Sequence, residues 1–334
     1  MKLLIVRTGA MGDVLHALPA VAALRAAQPD AQIDWVIDDR WAALLKADDV
    51  SGPIVDTAYP VNLKAWKQAP HSAATIRSLL GFRHLRRLHY DHVLDMQGTI
   101  RSASIGRLAG GRRLAGYADP REPLAAALYA RKLARRGAHV VDQGAALLSD
   151  ATGLTLSPAP VTLPHTAWAD DWAAEVVAGR RVCVLAPSAG WAAKQWPPAH
   201  FGELAVTLRD RGYTVLVNAS RVDDQLGQAV VDASNGAAEV TVCNVAGLIA
   251  LIRQSALVIG GDSGPMHLAA ALGVPVVALF GPTDPARNGP WGPGLIRVLR
   301  DPSSRTTYKR NAEADPGLAR ISPADVLAAL DGLL

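Results

Sequence analysis

The chain of 334 residues is long enough for two domains of ordinary size, and half of its residues are hydrophobic. Its apolar runs, such as residues 274–280, are far shorter than the roughly 18 residues that cross a bilayer, so we expect no transmembrane helix. Only about four apolar residues precede Arg7, too few for a signal peptide, and a cytoplasmic protein is expected. The two cysteines lack partners at metal-ligand spacing, which excludes a zinc framework.

Short apolar runs alternate with Ala- and Leu-rich stretches of helical character along the whole chain. The runs that we predict to be strands are 2–7, 32–38 and 92–97 in the first half, and 182–187, 213–218, 256–261 and 274–280 in the second. Uninterrupted apolar strands of this kind are typical of parallel sheets covered on both faces by helices. The pattern therefore predicts an α/β protein with two doubly wound domains.

Three prolines, at positions 158, 160 and 164, interrupt the periodicity between the halves and indicate a linker. We predict an N-terminal domain at 1–160, a linker at 161–178 and a C-terminal domain at 179–320. The Ser-Pro pair at 322 predicts the start of a closing helix within 321–334.

The net charge of +4 is unevenly distributed. Thirteen Lys and Arg residues lie between Arg77 and Arg136, against four acidic residues. Such a stretch suits phosphate-rich partners such as lipid headgroups or phosphorylated glycans, although a solvated helix face explains it equally well. Nucleic acid is not expected, because interleaved aromatic residues and a recognition motif are missing from the sequence.

The loop after the first predicted strand reads RTGAMGD, residues 7–13. Gly9 and Gly12 allow close approach to the backbone, but the loop matches neither the dinucleotide fingerprint nor a P-loop. Asp13 either caps the following helix or acts as a general base that accepts a proton from an incoming hydroxyl. Pro19 predicts that this helix is kinked or begins later.

The segment GGDSGPMHLAAALGVP, residues 260–275, predicts a strand, a tight turn and a helix. Free backbone N–H groups at Ser263 and Gly264 would form a diphosphate site at the helix N-terminus. Asp262 lies beside them and suits sugar or ribose hydroxyls, while His267 either donates to phosphate or packs within the fold. Ser263 is not predicted to be a nucleophile, since the protease and hydrolase contexts are missing.

Two further loops of the second half contain residues suited to a nucleotide. The loop 186–201 presents Ser188 and Lys194, and a lysine there would neutralise a leaving diphosphate unless it is only a surface residue. Asp223 and Asp224 follow a predicted strand, where they either bind a ribose or cap the next helix.

Together these motifs resemble the ADP-heptose:lipopolysaccharide heptosyltransferase family of glycosyltransferases over essentially the whole chain. The segments that match are LLIVRTGAMGDVLHALPA, LDMQGTIRSA, GWAAKQWP and GGDSGPMHLAAALGVPVVALFGPTDP. Residues 119–132 are most similar to heptosyltransferase I, which adds the first heptose to Kdo-lipid A.

The resemblance implies a GT-B fold, with two Rossmann-like domains facing across a cleft, and inversion at the anomeric carbon. It implies that Asp13 is the catalytic base and that Lys194 stabilises the departing diphosphate. The donor ADP-heptose would be bound by residues of the C-terminal domain: Ser188, Asp223, Asp224, Asp262, Ser263, Gly264 and His267. The acceptor would be bound by residues of the N-terminal domain: Gly12, Lys64, Gln97, Arg101 and Arg121.

The implied acceptor is Kdo-lipid A or a related anionic glycolipid. Where first-heptose enzymes have an Arg-rich stretch near residues 60–67, this chain offers only Lys64 and Lys67, so a second core heptose, an O-chain or a protein is the alternative acceptor. A non-catalytic nucleotide-sugar or anionic-glycan binding module is the alternative outside enzymes. No cofactor or metal site is expected, with a divalent cation at most stimulatory. We expect peripheral association with the anionic cytoplasmic face of the inner membrane through the basic stretch.

Overall fold

The computed structural model describes residues 1–47, 52–307 and 314–333. The chain divides into two compact units, Met1–Pro164 and His165–Leu334. Each unit contains one six-stranded sheet in which all neighbouring strands are parallel. The prediction of two doubly wound α/β domains is confirmed.

The first unit has six strands in the order β3-β2-β1-β4-β5-β6. Its strands are β1 (Lys2–Val6), β2 (Gln32–Asp38), β3 (Thr57–Val61), β4 (His92–Asp95), β5 (Leu114–Tyr117) and β6 (Arg131–Leu133). Its helices are α1 (Met11–Ala27), α2 (Leu63–Gln68), α3 (Ala73–Gly81), α4 (Ile100–Gly110) and α5 (Val140–Thr152). Segments of 3₁₀ helix lie at Asp39–Leu44, Phe82–Leu88, Gly111–Arg113 and Pro123–Leu128.

The second unit repeats this architecture with the strand order β12-β11-β10-β7-β8-β9. Its strands are β7 (Val182–Ala186), β8 (Thr214–Ala219), β9 (Ala238–Val242), β10 (Leu257–Gly261), β11 (Val276–Phe280) and β12 (Ile296–Arg300). Its helices are α6 (Ala167–Val177), α7 (Pro198–Asp210), α8 (Gln225–Ala233), α9 (Val245–Arg253), α10 (Gly264–Leu272), α11 (Pro285–Asn288), α12 (Pro316–Arg320) and α13 (Pro323–Asp331).

The strand order of each sheet reverses direction at its centre. In the first unit the reversal lies between β1 and β4, and in the second unit between β7 and β10. Loops at the carboxyl ends of strands on either side of such a reversal diverge and leave a crevice, which is where open α/β sheets bind ligands. The topology therefore selects the loops after these four strands as candidate sites.

The structure bears on two local expectations. Of the two outcomes expected from Pro19, a later start is excluded, because helix α1 begins at Met11 and continues through Pro19 to Ala27. The predicted linker at 161–178 contains α6, whose face with Ala169 and Ala173 is buried against the second unit. Among the helices in the described ranges, none is long and apolar enough to cross a membrane.

Candidate active site

The loop after β1 holds Asp13 in a fixed position. One carboxylate oxygen, Oδ2, accepts a hydrogen bond from the backbone N–H of Ala10 at 3.0 Å. The other, Oδ1, lies 3.0 Å from a guanidinium nitrogen of Arg7, in an ion pair whose Asp13 side chain is 38% exposed. Asp13 is the third residue of α1, and its hydrogen bond to the N–H of the cap residue Ala10 helps to cap the helix. The carboxylate nevertheless remains open to solvent while both of its oxygens are oriented. A carboxylate presented in this way can accept a proton.

Gln97, in the loop after β4, connects the two loops at the sheet reversal. Its side-chain oxygen accepts hydrogen bonds from the backbone N–H groups of Thr8 at 3.1 Å and Gly9 at 3.2 Å. Gly9 has a φ of +140°, and an added Cβ there would lie 2.8 Å from the indole nitrogen of Trp41. A side chain at this position would displace Trp41, so the backbone path needs glycine.

The buried Asp95, at the end of β4, organises the loop that contains Gln97. Its carboxylate accepts from the backbone N–H groups of Gln97 at 2.9 Å and Gly98 at 3.1 Å. It also accepts from the hydroxyls of Ser102 at 3.0 Å and Tyr129 at 2.7 Å. Burial raises the pKa of Asp95, although these four donors oppose that effect. The network holds Gln97 against the Asp13 loop.

The predicted acceptor residues lie at different distances from this centre along the sheet. The backbone of Arg121 lies beside the loop that contains Gln97, because a Cβ added to Gly98 would be 3.0 Å from the Arg121 backbone nitrogen. Arg101 is half-buried in the first turn of α4, and Gly12 precedes Asp13 in α1. Lys64 is exposed on α2, which follows β3, two strands away from β1. Gln97 and Arg121 are therefore closer to the Asp13 loop than Lys64 is.

In the second unit, the predicted catalytic residue Lys194 and two predicted donor-binding residues form one polar cluster. Lys194 Nζ lies 2.5 Å from Asp262 Oδ2, and His267 Nε2 lies 2.9 Å from Asp262 Oδ1. The side chains are 15%, 8% and 4% exposed in the order Lys194, Asp262 and His267. Lys194 also lies over the ring of Trp191, 5.1 Å from its centroid. Lys194 is therefore not a mobile surface lysine.

The electrostatics of this cluster favour an ionised Asp262. Burial by itself would raise the pKa of the carboxyl. The hydrogen bond and charge of His267, followed by the ammonium of Lys194, outweigh burial and hold the pKa well below its usual range. Asp262 is thus a fixed anion that positions two donors, and Lys194 is held where it can neutralise a phosphate.

The start of α10 adds free donors next to this cluster. Ser263 is the cap residue of the helix, but its hydroxyl makes no capping hydrogen bond. Its buried Oγ lacks a partner within the described part of the chain, as does that of Thr283, after the neighbouring strand β11. Gly264 begins the helix, where backbone N–H groups have no intrahelical acceptor. An anion at this helix end would satisfy these groups.

Fully buried aromatic contacts hold the loop that contains Lys194. The indole N–H of Trp196 donates to the carbonyl of Ile321 at 2.8 Å, immediately before α13. The Trp196 ring packs edge-on against Phe201 with centroids 4.7 Å apart. The loop also contains Ser188, which is half-buried at the end of β7.

The two aspartates after β8 have different surroundings. Asp224 caps α8, accepting from the backbone N–H groups of Leu226 at 3.1 Å and Gly227 at 3.2 Å, which confirms the capping interpretation for this residue. Burial would raise the pKa of Asp224, but these hydrogen bonds hold it below its usual value. Asp223 is 79% exposed and pairs only with Arg221 at 3.0 Å among the contacts described. Asp223 is therefore the carboxylate that remains accessible to a ligand.

Sequence reasoning missed several residues that shape these loops, namely Arg7, Trp41 and Asp95. Arg7 could have been found because it is a charged residue directly after the apolar run that ends at Val6. Asp95 could have been found as an acidic residue inside an apolar strand, which is rare without hydrogen-bonding partners. Within the described ranges, there is no group of three or more His, Cys, Asp or Glu residues arranged to hold a metal ion.

Comparisons with known proteins bear on the family and the fold of the chain. The profile of glycosyltransferase family 9 (heptosyltransferase) matches residues 79–315. The chain is 29% identical to lipopolysaccharide heptosyltransferase 1 of Pseudomonas aeruginosa, over 95% of this chain and 88% of that protein. It is 30% identical to lipopolysaccharide heptosyltransferase 1 of Escherichia coli K12, over 90% and 94%. The solved structure of E. coli heptosyltransferase WaaC with ADP is similar with a TM-score of 0.80 at 27% identity, covering all of both chains.

Proposed function

Because this chain belongs to glycosyltransferase family 9, the heptosyltransferases, we propose that it transfers heptose from ADP-heptose to a Kdo residue of the lipopolysaccharide inner core. The observation that carries the proposal is the buried Lys194–Asp262–His267 cluster beside the free N-terminus of α10. The similar WaaC structure, which holds ADP, and the relatives named lipopolysaccharide heptosyltransferase 1 support the donor and the pathway.

The C-terminal unit binds the donor in this proposal. The diphosphate lies at the start of α10, where it accepts hydrogen bonds from the backbone N–H groups of Ser263 and Gly264 and from the hydroxyl of Ser263. Lys194 neutralises the charge that develops as the bond from the anomeric carbon to the diphosphate breaks. Two further residues, Ser188 and His267, hold the diphosphate. The ribose is held by either Asp223 or Asp224. Asp223 suits the ribose better because Asp224 already caps α8.

The N-terminal unit binds the acceptor and supplies the base. A hydroxyl of the acceptor attacks the anomeric carbon, its proton passes to Asp13, and ADP leaves with the electrons of the broken bond. Displacement in one step inverts the configuration at that carbon. Arg7 and the Ala10 N–H orient the Asp13 carboxylate for this transfer. Kdo carboxylates and lipid A phosphates are the groups that Gln97, Arg101 and Arg121 bind, with Gly12 and Lys64 as further contacts.

A heptosyltransferase with another acceptor is the second candidate. The observation in its favour is that α2 presents lysine rather than arginine at its exposed positions Lys64 and Lys67. Lysine lacks the planar fork that pairs with a carboxylate or phosphate through two parallel hydrogen bonds. A second core heptose, an O-chain or a protein would then replace Kdo.

Since the proposed acceptor is a lipid, we place the enzyme on the cytoplasmic face of the inner membrane as a peripheral protein. The stretch between Arg77 and Arg136, with thirteen basic and four acidic residues, supports attraction to an anionic leaflet.

Mass spectrometry of the products tests the proposed reaction. Wild-type protein, ADP-heptose and Kdo-terminated, deacylated lipid A should give a product heavier by one heptose. The Asp13→Ala variant should lose this product by a factor of about 10²–10⁴, the usual contribution of a general base, while still binding ADP. Binding of ADP-heptose without transfer would favour another acceptor. Transfer at the wild-type rate by Asp13→Ala would reject Asp13 as the base.

A further inference from the structure

Helix α3 exposes an apolar pair on the surface of the first unit. None of its nine residues is buried, and Ile76 and Leu80 are 48% and 41% exposed. Residues four positions apart lie on the same face of a helix, so the two side chains form one apolar strip. The helix is nevertheless well defined, because the hydroxyl of Ser72 accepts from the backbone N–H of Thr75 at 3.1 Å.

The segment that follows fixes this helix to the core. Leu79 packs against the buried cluster of the first unit, and Phe82 and Leu85 belong to that cluster. Helix α3 is therefore anchored on one side, while Ile76 and Leu80 remain uncovered on another. The pair forms a small apolar area, because each of its two side chains is only about half exposed.

The segments on both sides of the strip in the chain carry charge of a single sign. Residues 57–90 contain six Lys and Arg residues and no Asp or Glu. Arg77 lies next to the apolar pair in α3, and Arg83 and Arg87 follow in the exposed part of the 3₁₀ segment Phe82–Leu88. Lys64 and Lys67 precede the helix on exposed positions of α2. Any partner that covers this surface must tolerate cations around an apolar centre.

We propose that α3, with the basic residues on both sides of it, is the surface through which the protein docks on anionic lipid. Ile76 and Leu80 enter the boundary between headgroups and acyl chains, while Arg77, Arg83 and Arg87 contact lipid phosphates. A lipid surface fits better than an acidic protein because the apolar strip is short and the exposed segments on both sides of it in the chain are cationic. This inference rests on the proposed function, since it assigns the membrane contact of an enzyme with a lipid acceptor.

The basic and the apolar residues of this surface should each contribute a measurable factor to the partition coefficient for vesicles. A basic side chain near an anionic surface contributes about fivefold to the partition coefficient. Burying the exposed halves of Ile76 and Leu80 contributes about tenfold or more together. Binding should weaken as ionic strength rises, because salt screens the cationic part of the attraction.

Co-sedimentation of the full chain with vesicles tests the proposal. Wild type should bind vesicles that contain phosphatidylglycerol far more strongly than pure phosphatidylcholine vesicles. The variant Ile76→Ser/Leu80→Ser should bind the anionic vesicles about tenfold more weakly, whereas Leu124→Ser, at an aliphatic residue that is 73% exposed, should bind as wild type does. Arg77→Gln should lose about fivefold, and Arg209→Gln, on the second unit, should lose nothing measurable.

Transfer to the water-soluble deacylated acceptor separates this inference from the proposed function. The Ile76→Ser/Leu80→Ser variant should retain wild-type transfer and thermal stability, because both side chains lie outside the core. A wild type that binds vesicles but transfers no heptose would reject the proposed function and leave the docking surface standing.

Three results would overturn the docking surface: no preference of the wild type for anionic vesicles, wild-type binding by Ile76→Ser/Leu80→Ser, or an equal loss in the Leu124→Ser control. Self-association that this double variant abolishes, in a protein that does not bind vesicles, would assign the strip to a second copy of the chain instead.

Discussion

Replacing Lys194 by methionine tests how strongly Asp262 depends on its cation. The substitution keeps the length of the side chain but removes an ammonium 2.5 Å from a carboxylate that is 8% exposed. Breaking a buried pair costs about 3–5 kcal/mol when the surviving charge has no other partner. His267 remains 2.9 Å from Asp262, so we expect a smaller loss, about 2 kcal/mol. For a unit of this size, that loss lowers the midpoint of thermal unfolding by about 4–8 °C.

Thermal unfolding followed by circular dichroism, without ligand, measures this loss. A double variant, Lys194→Met/Asp262→Asn, provides the decisive comparison because it removes the cation and the anion together. It should recover most of the stability that Lys194→Met loses, since no unpaired charge stays buried. Lys132→Met, at an exposed lysine of β6, is the matched control and should change stability by less than about 0.5 kcal/mol.

The pH dependence of the same variants gives an independent check. The pKa of Asp262 is lower in the folded protein than in the unfolded chain, so its ionised form stabilises the fold above the ordinary carboxyl range. That contribution disappears as the pH falls through the folded pKa. The difference between wild type and Lys194→Met should therefore be largest near neutral pH and shrink below about pH 4. A midpoint for Lys194→Met within a degree of wild type at neutral pH would refute the buried pair.

Three other perturbations are expected to act as follows. Gly9→Ala should reduce kcat by at least tenfold, because the backbone has a φ of +140° and the new Cβ would lie 2.8 Å from the Trp41 indole nitrogen. The affinity for ADP, measured by calorimetry, should not change. Burial raises the pKa of Asp34, so its ionised form opposes folding at neutral pH and stability rises as the pH falls through the folded pKa. In urea unfolding at several pH values, Asp34→Asn should remove this dependence of the unfolding free energy on pH. An unchanged pH dependence would show that Asp34 is not the group responsible. Finally, transfer should persist in EDTA, since Lys194 supplies the positive charge; complete loss restored by one specific metal would reject this.

The buried centre of each sheet was predictable because its strands are mostly apolar, although β2 also contains Gln32, Asp34 and Asp38. The run 32–38 is β2 as predicted, and β10 and β11 lie within the runs 256–261 and 274–280. The edge strands escaped prediction because they are partly exposed, so their sequences mix polar and apolar residues, whereas the buried strand β5 escaped because it has only four residues. The edge strand β6 reads RKL, and β3 contains Pro60, which an edge strand tolerates because only one side needs ladder hydrogen bonds.

The candidate site was predictable where chemistry and loop position coincide in the sequence. Asp262 and His267 lie five residues apart in one strand–turn–helix segment, so their proximity follows from local geometry. The ion pair of Lys194 with Asp262 joins residues 68 positions apart, and spacing alone does not predict such a contact. Asp224 illustrates the opposite case, because two adjacent carboxylates look equivalent in the sequence until one of them caps a helix.

The hydrogen bonds that converge on Gln97 bear on how the Asp13 loop responds to a ligand. Asp95 fixes the Gln97 backbone, and the Gln97 side chain in turn holds the backbone of Thr8 and Gly9. An acceptor that meets this loop encounters a backbone that is already ordered, so its binding need not offset the conformational entropy of loop closure. In the proposed enzyme, Tyr129, 34 residues from Asp95 in the chain, would contribute to acceptor affinity by restricting motion of a loop that its own side chain need not touch.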